Sequence, residues 1–402
     1  MKMRIERALV ALSLLLISAS ASALRLELAP SAHTEVQRDD NIFRVPDEVV
    51  VGGAPRVADT LVRYGAGAKL TLNESLQQLE LRGEYDRINY AQLDQLDYGR
   101  YLIGLQARLA MASTLKLKLD ASRERRQENF AYRDDSVAAL ITVDQAAAEL
   151  RYAATPRWTG IARAERYATE TSRQSSKDSN LEENAGELGL EYSRNNYSSL
   201  GVALRQADGR YPNRVVTPGD GREKDYTQQS LVTRAGYTPS GLSDLKVQVA
   251  YTQRTHDDAA VPDFHGFTGR LAYTRKFSGI SQAQLELYRD LYYVEDANAN
   301  YVENLGLKAS YDYRWSAKLG FLAAMERYES SYKGSPRLNS SGGQPRQDEV
   351  FNVRLGASYQ PFYRFSILPE YRYERRGSNT VNGGYDFNVF GVDLAYRYGA
   401  GR

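Results

Sequence analysis

The sequence predicts an all-β fold: a transmembrane, antiparallel up-and-down β-barrel of about eighteen strands, with sixteen as the alternative count. Three observations predict it. Apolar residues recur with a period of two along most of the chain, the periodic runs extend over about 10 to 14 residues, and the polar connectors between them alternate short and long. Runs of this length suit strands tilted across a bilayer and exceed the five or six residues usual in a globular sheet.

The amino-terminal segment comes first. Lys2, Arg4 and Arg7 precede an apolar run from Ala8 to Ala19 and the small residues Ala21, Ser22 and Ala23. This is the pattern of a cleaved signal peptide, residues 1–23, which leaves 24–402 as a single barrel domain exported to the bacterial outer membrane. An apolar core of about a dozen residues is too short for a spanning helix, and no later stretch reaches 18 apolar residues. The mature chain therefore crosses a bilayer with strands or not at all.

The strands follow. Over 62 to 72, Val62, Tyr64, Ala66, Ala68, Leu70 and Leu72 take one face, and Arg63, Gly65, Gly67, Lys69 and Thr71 take the other. Leu79, Leu81, Gly83 and Tyr85 repeat the pattern, as do Tyr101, Ile103, Leu105, Ala107 and Leu109, and later Leu305, Leu307, Ala309, Tyr311 and Tyr313. Short connectors are expected near 73–76, 112–114, 153–156, 194–197, 239–243, 277–281, 314–316 and 360–363. Longer ones are expected near 39–56, 89–96, 127–137, 171–183, 211–225, 257–264, 295–300, 330–347 and 376–386. Eight short and nine long connectors make eighteen strands. Pro30 and Ser31 weaken the first, near 25–38, and Pro369 implies a bulge or a lost ladder bond in a late one. The run Phe390, Val392, Leu394, Tyr396, Tyr398 resembles a C-terminal barrel-assembly signal, although Gly399-Ala400-Gly401-Arg402 follows it.

Composition excludes several functions. The chain has 402 residues and no cysteine, so disulfides, thiol catalysis and thiolate metal sites are absent. Its 52 basic and 50 acidic residues nearly cancel, which gives no sign of a nucleic-acid partner. Thirty tyrosines are unusually many; Tyr85, Tyr98, Tyr101, Tyr273, Tyr311, Tyr313, Tyr371 and Tyr373 are read as interfacial girdle residues on the apolar face. The histidines are only three, His33, His256 and His265, and none lies at metal-ligand spacing with other donors in the sequence; His256-Asp257-Asp258 reads as a loop rim. Arg38-Asp39-Asp40-Asn41 offers oxygens to a divalent cation, but such clusters at strand ends are more often turns. No nucleophile with an activating base stands out, so no enzyme activity, catalytic residue, resident metal or cofactor is expected.

A barrel of this strand count is too wide for side chains to fill. Its polar faces are expected to line a lumen, with Arg82, Glu84, Arg100, Arg108, Lys116, Lys118, Arg270, Lys308, Arg354, Arg372 and Arg397 pointing inward by parity. Such a wall suits a hydrated path whose cations bind sugar hydroxyls or carboxylates, and equally a structural ladder of opposite charges that satisfy one another.

Several short segments then become informative together. They are Asp39-Asp40-Asn41-Ile42-Phe43-Arg44-Val45-Pro46, Arg125-Arg126-Gln127-Glu128-Asn129-Phe130, Thr155-Pro156-Arg157-Trp158, Asp208-Gly209-Arg210-Tyr211-Pro212-Asn213-Arg214, and Arg254-Thr255-His256-Asp257 leading to Phe264-His265-Gly266. In order and spacing they resemble the exosortase-associated exopolysaccharide-biosynthesis barrel family called EpsL. The resemblance implies an outer-membrane conduit for a secreted polysaccharide. Its partners would be outer-membrane lipid, the polysaccharide itself, and periplasmic or inner-membrane export components that supply the energy. A general small-solute porin is the alternative, and a non-conducting scaffold plugged by a loop such as 330–347 is a third.

Overall fold

The computed structural model describes residues 25–46, 55–132, 137–195, 197–215, 219, 224–292, 299–334, 344–380 and 383–398. The expected signal peptide, residues 335–343 of the 330–347 loop and the final Gly399 to Arg402 lie outside them.

Eighteen strands form one closed sheet. In chain order they are β1 (Arg25–Asp39), β2 (Asp59–Glu74), β3 (Gln77–Tyr90), β4 (Tyr98–Ala110), β5 (Leu115–Gln127), β6 (Leu140–Ala153), β7 (Trp158–Thr171), β8 (Glu182–Asn195), β9 (Ser198–Arg210), β10 (Tyr226–Ser240), β11 (Ser243–Thr255), β12 (Phe264–Ser278), β13 (Ser281–Tyr292), β14 (Tyr301–Arg314), β15 (Leu319–Lys333), β16 (Gln347–Phe362), β17 (Phe365–Ser378) and β18 (Tyr385–Arg397). Each pairs antiparallel with its neighbours in sequence, and β1 closes the ring against β18 over Ser31↔Arg397 to Asp39↔Val389. The result is the expected up-and-down barrel with the expected eighteen strands.

Connector length separates the two ends of the barrel. At the turn end the chain reverses within a few residues, as at Ser75-Leu76, where Ser75 adopts a positive φ of 51°. At the other end, here the loop end, connectors such as 40–58, 128–139 and 211–225 are long. The first strand forms despite Pro30, which pairs with Ala68 on β2 just beyond the start of the β1–β18 ladder. Pro369 interrupts its ladder as expected. The β16–β17 pairing passes from Gly356↔Glu370 to Tyr359↔Ile367 without a pair at the proline, which has no N–H to give.

The two faces of the sheet differ sharply. Outward side chains such as Leu28, Ile103, Leu188, Leu204, Leu231 and Leu305 are exposed, and together they form an apolar band. At the turn end the band closes in aromatics: Trp158 packs on Tyr192 with ring centroids 4.9 Å apart, and Tyr311 stacks on Tyr313, which meets Trp315 edge to face. Toward the loop end it gives way to outward ion pairs, Arg166 to Glu182 at 3.1 Å and Arg289 to Glu303 at 2.9 Å among them. An apolar belt rimmed by aromatics is what a bilayer requires of a barrel. One girdle assignment needs correction. Tyr98 lies two residues before Arg100 and pairs with Ile88, so alternation puts it on the inner face, out of phase with Tyr101.

Most of the buried apolar clusters lie at the loop end, although Ala203, Val232 and Ala250 form one midway along β9, β10 and β11. Ile42, Phe43, Leu96 and Phe130 form one cluster, and Leu181, Tyr211 and Tyr226 form another.

Candidate functional site

The inner wall takes shape strand by strand. All eleven expected residues fall on the face opposite the apolar band, because each alternates with an outward apolar or aromatic neighbour in continuous register. Many are engaged with one another. Arg82 binds Glu84 at 2.8 Å, Arg100 bridges Asp86 at 3.3 Å and Glu124 at 3.0 Å, and Lys118 reaches Asp120 at 2.8 Å. On the far side Arg270 holds Glu286 and Asp290, both at 2.9 Å, while Glu370 joins Arg354 to Arg372. Mutual neutralisation across strands therefore accounts for part of the wall.

It does not account for the rest. Among the described residues Lys116, Lys308 and Arg397 have no carboxylate within 4.0 Å, and Arg108 reaches only Gln78, at 3.5 Å. At the turn end of β4, β5 and β6 like charges stand opposite each other: Arg108 pairs with Lys118, and Lys116 with Arg151. Like charges in register destabilise a sheet, and this row is offset only in part: Lys118 reaches Asp120 and Arg151 reaches Glu191 at 2.5 Å, which leaves Arg108 and Lys116 without a carboxylate within 4.0 Å among the described residues. Only the pairing register reveals the row.

Room remains between the walls. A cavity of about 740 Å³ is lined on one side by Arg82, Gln106, Asp120 and Arg163, and on the other by Tyr226, Arg254 and Tyr292. A second, of about 830 Å³, lies against β1, β2, β3 and β18, with His33, Arg63, Glu84, Asp393 and Arg397 in its lining.

The loop end is partly covered. From the top of β5 the segment 128–132 folds inward and reaches the seam between first and last strands. Phe130 meets Phe43 edge to face, and the Arg376 guanidinium of β17 donates to the Ala131 carbonyl at 2.6 Å. The turn beneath is firmly built. Asp39 accepts from the Asn41 N–H and both Arg44 amino groups, and Asp40 accepts from the backbone and side chain of Asn388. Although burial opposes it, those bonds and the nearby Arg56 hold the Asp40 carboxyl below its ordinary pKa. The Asp39-Asp40-Asn41 cluster is thus a turn whose oxygens are already engaged.

Opposite this lid, Arg254 is 4% exposed and lies between tyrosine rings, 3.9 Å from Tyr226 and 5.9 Å from Tyr301, with Gln228 accepting at 2.8 and 3.0 Å. Tyr226 fits because Gly209 faces it on β9, where a Cβ would overlap the ring. His256 lies at the start of the β11–β12 loop, as expected, but its side chain is buried and stacks on Tyr301. Burial first, and then the Arg254 charge, push its pKa down to about 4, so it is neutral near pH 7. His265 shares the outward face of β12 with Phe267.

No family model matches the chain, and no curated protein matches it. Among solved structures the chain is similar to OccK2 (OpdF) of Pseudomonas aeruginosa, with 13% identity, 93% of this chain and 98% of that one covered, and a TM-score of 0.51. The outer membrane protein OpdK of the same organism aligns over 92% and 99% at 13% identity with a TM-score of 0.49. OprD, also from P. aeruginosa, aligns over 94% and 96% at 14% and 0.47. At such identities the likeness is one of fold.

Proposed function

We propose that this chain is a passive porin of the bacterial outer membrane that admits polar, preferably anionic, small solutes. The observation that carries the reading is the basic row of Arg108, Lys118, Lys116 and Arg151 on the inner wall, where register sets cation against cation. A charged ring on a water-filled wall selects ions of the opposite sign. The apolar outer belt supplies the bilayer seat, and cavities of about 740 and 830 Å³ between the walls match the scale of small-molecule sites. No step here needs a catalytic group. Single-channel recording across a planar bilayer under a salt gradient tests the reading. A conducting channel whose reversal potential marks anion preference supports it, and well-folded protein without conductance rejects it.

A second reading, export of an exopolysaccharide, is favoured by the resemblance of segments 39–46, 125–130, 155–158, 208–214 and 254–266. All but 155–158, which makes the β6–β7 turn, contribute to the packed loop end: Phe43, Phe130, Tyr211 and Phe264 are buried there. A polymer leaving the cell would pass this end, handed on by periplasmic or inner-membrane export components. Removing the protein and locating the polymer separates the readings. Polymer trapped in the periplasm favours export, whereas unchanged surface polymer leaves the porin reading alone.

A further inference from the structure

We infer that His33, Glu84 and Asp86 form a binding site for a first-row divalent transition-metal ion on the inner wall. The site rests on a row across three strands, since His33 on β1 pairs with Gly65 on β2, and Gly65 pairs with Asp86 on β3. A side chain on the middle strand would ordinarily keep the outer two apart. Here a Cβ at position 65 would overlap Asp86 Oδ1, so the glycine is what lets the carboxylate lie across β2. The crossing brings Asp86 Oδ1 to 3.1 Å from His33 Nε2.

Glu84 projects from the same face of β3, two residues away, and one ligand atom from each of the three residues lies within 4.8 Å of the others. Among the described residues no other set of three His, Asp or Glu side chains converges so closely. Asp86 is 1% exposed, and its Oδ1 and His33 Nε2 face only each other, at 3.1 Å. The other Asp86 oxygen is held by Arg100 at 3.3 Å, which turns Oδ1 toward the imidazole. Arg82 anchors Glu84 Oε2 at 2.8 Å in the same manner.

The surrounding charge permits a cation. Arg63, Arg82, Arg100 and Arg397 face the site, but so do Glu35, Glu124 and Asp393 in addition to the two ligand carboxylates, so acids outnumber guanidinium groups. Bonds of about 2.0 to 2.2 Å place neighbouring donors roughly 3.0 to 3.5 Å apart, which the His33 to Asp86 separation fits. One imidazole with two carboxylates favours zinc or manganese over calcium and magnesium, which prefer oxygen donors alone. Three protein donors leave positions open toward the adjoining cavity of about 830 Å³, where a solute oxygen can complete the shell.

The competing account is a plain ion pair between protonated His33 and Asp86. Calorimetric titration with Zn²⁺ of the metal-stripped, detergent-folded full chain at pH 7 distinguishes the two, with heat-modifiable gel mobility as the check on folding. One zinc per chain is expected, weakened about tenfold or more in H33Q and in D86N. G65A, which removes no donor, should weaken it too. Binding unchanged in H33Q, or absent from the wild type, overturns the site. Should D86N fail to fold, E84Q with H33Q gives the same decision. Zinc stoichiometry does not depend on conduction, so the site and the porin reading stand or fall separately.

Discussion

Phe130 meets Phe43 edge-on, with ring centroids 5.2 Å apart and planes at 88°, although one follows β5 and the other follows β1. An edge-to-face pair of this kind is worth roughly 0.5–1.5 kcal/mol beyond the area it buries. With the Arg376 bond to Ala131, it holds the inward-folded segment over one side of the mouth. Phe130→Ala should therefore free that segment. The expected outcome is a larger or noisier single-channel conductance together with faster tryptic cleavage near Arg126; unchanged values in both would show that the segment does not limit the pore.

The basic row makes an electrostatic prediction. Arg108→Glu with Lys116→Glu should lower the anion-to-cation permeability ratio by about a factor of two or more near 0.1 M salt, where the screening length is about 10 Å. The effect should shrink at 1 M salt. Reversing Arg100 is a different experiment, because Arg100 bridges Asp86 and Glu124. Arg100→Glu places an acid between two carboxylates and should impair folding yield more than the double variant does.

The buried His256 links the loop end to pH. Its folded pKa of about 4 lies below the ordinary value near 6.5, so the unfolded loop binds more protons between them. Stability is thus fully present above about 6.5 and is lost as the pH falls toward 4. Arg254 faces the imidazole and adds to the depression, while Asp263 and Asp257 oppose it. Hydrogen exchange around 256–263 should accelerate as the pH drops through this window, after correction for intrinsic rates. His256→Phe should flatten that dependence.

Arg254 gives a test of chemistry rather than charge. A guanidinium stacks flat on tyrosine and donates in a plane, which lysine cannot imitate. Arg254→Lys should destabilise the Tyr226–Tyr301 side by about 1–2 kcal/mol despite the conserved charge. Urea unfolding followed by Trp and Tyr fluorescence would register it; wild-type midpoints in Arg254→Lys would mean that charge alone suffices.

Much of the architecture was legible because a barrel writes itself locally. Alternation along β2, β4 and β14 and the lengths of the connectors yield eighteen strands without reference to any contact. What escaped was whatever depends on pairing. Tyr98 was misassigned because the phase of β4 is ambiguous at its start. His33 has no donor at ligand spacing in the chain, yet register carries it to Asp86, 53 positions away. Loop packing was also hidden, since Phe130 and His256 sit in polar surroundings and are buried only by segments distant in sequence.

Joining β1 to β18 brings the two edges of the sheet together. Ser31 meets Arg397 across nearly the whole polypeptide, so this seam is the pairing of greatest sequence separation and carries the largest loop-closure cost. While it is open, two raw edges invite a foreign strand. The histidine-bearing first strand lies on that seam, so a barrel opened there would bare His33 to labelling reagents while its ladder with β2 stayed intact.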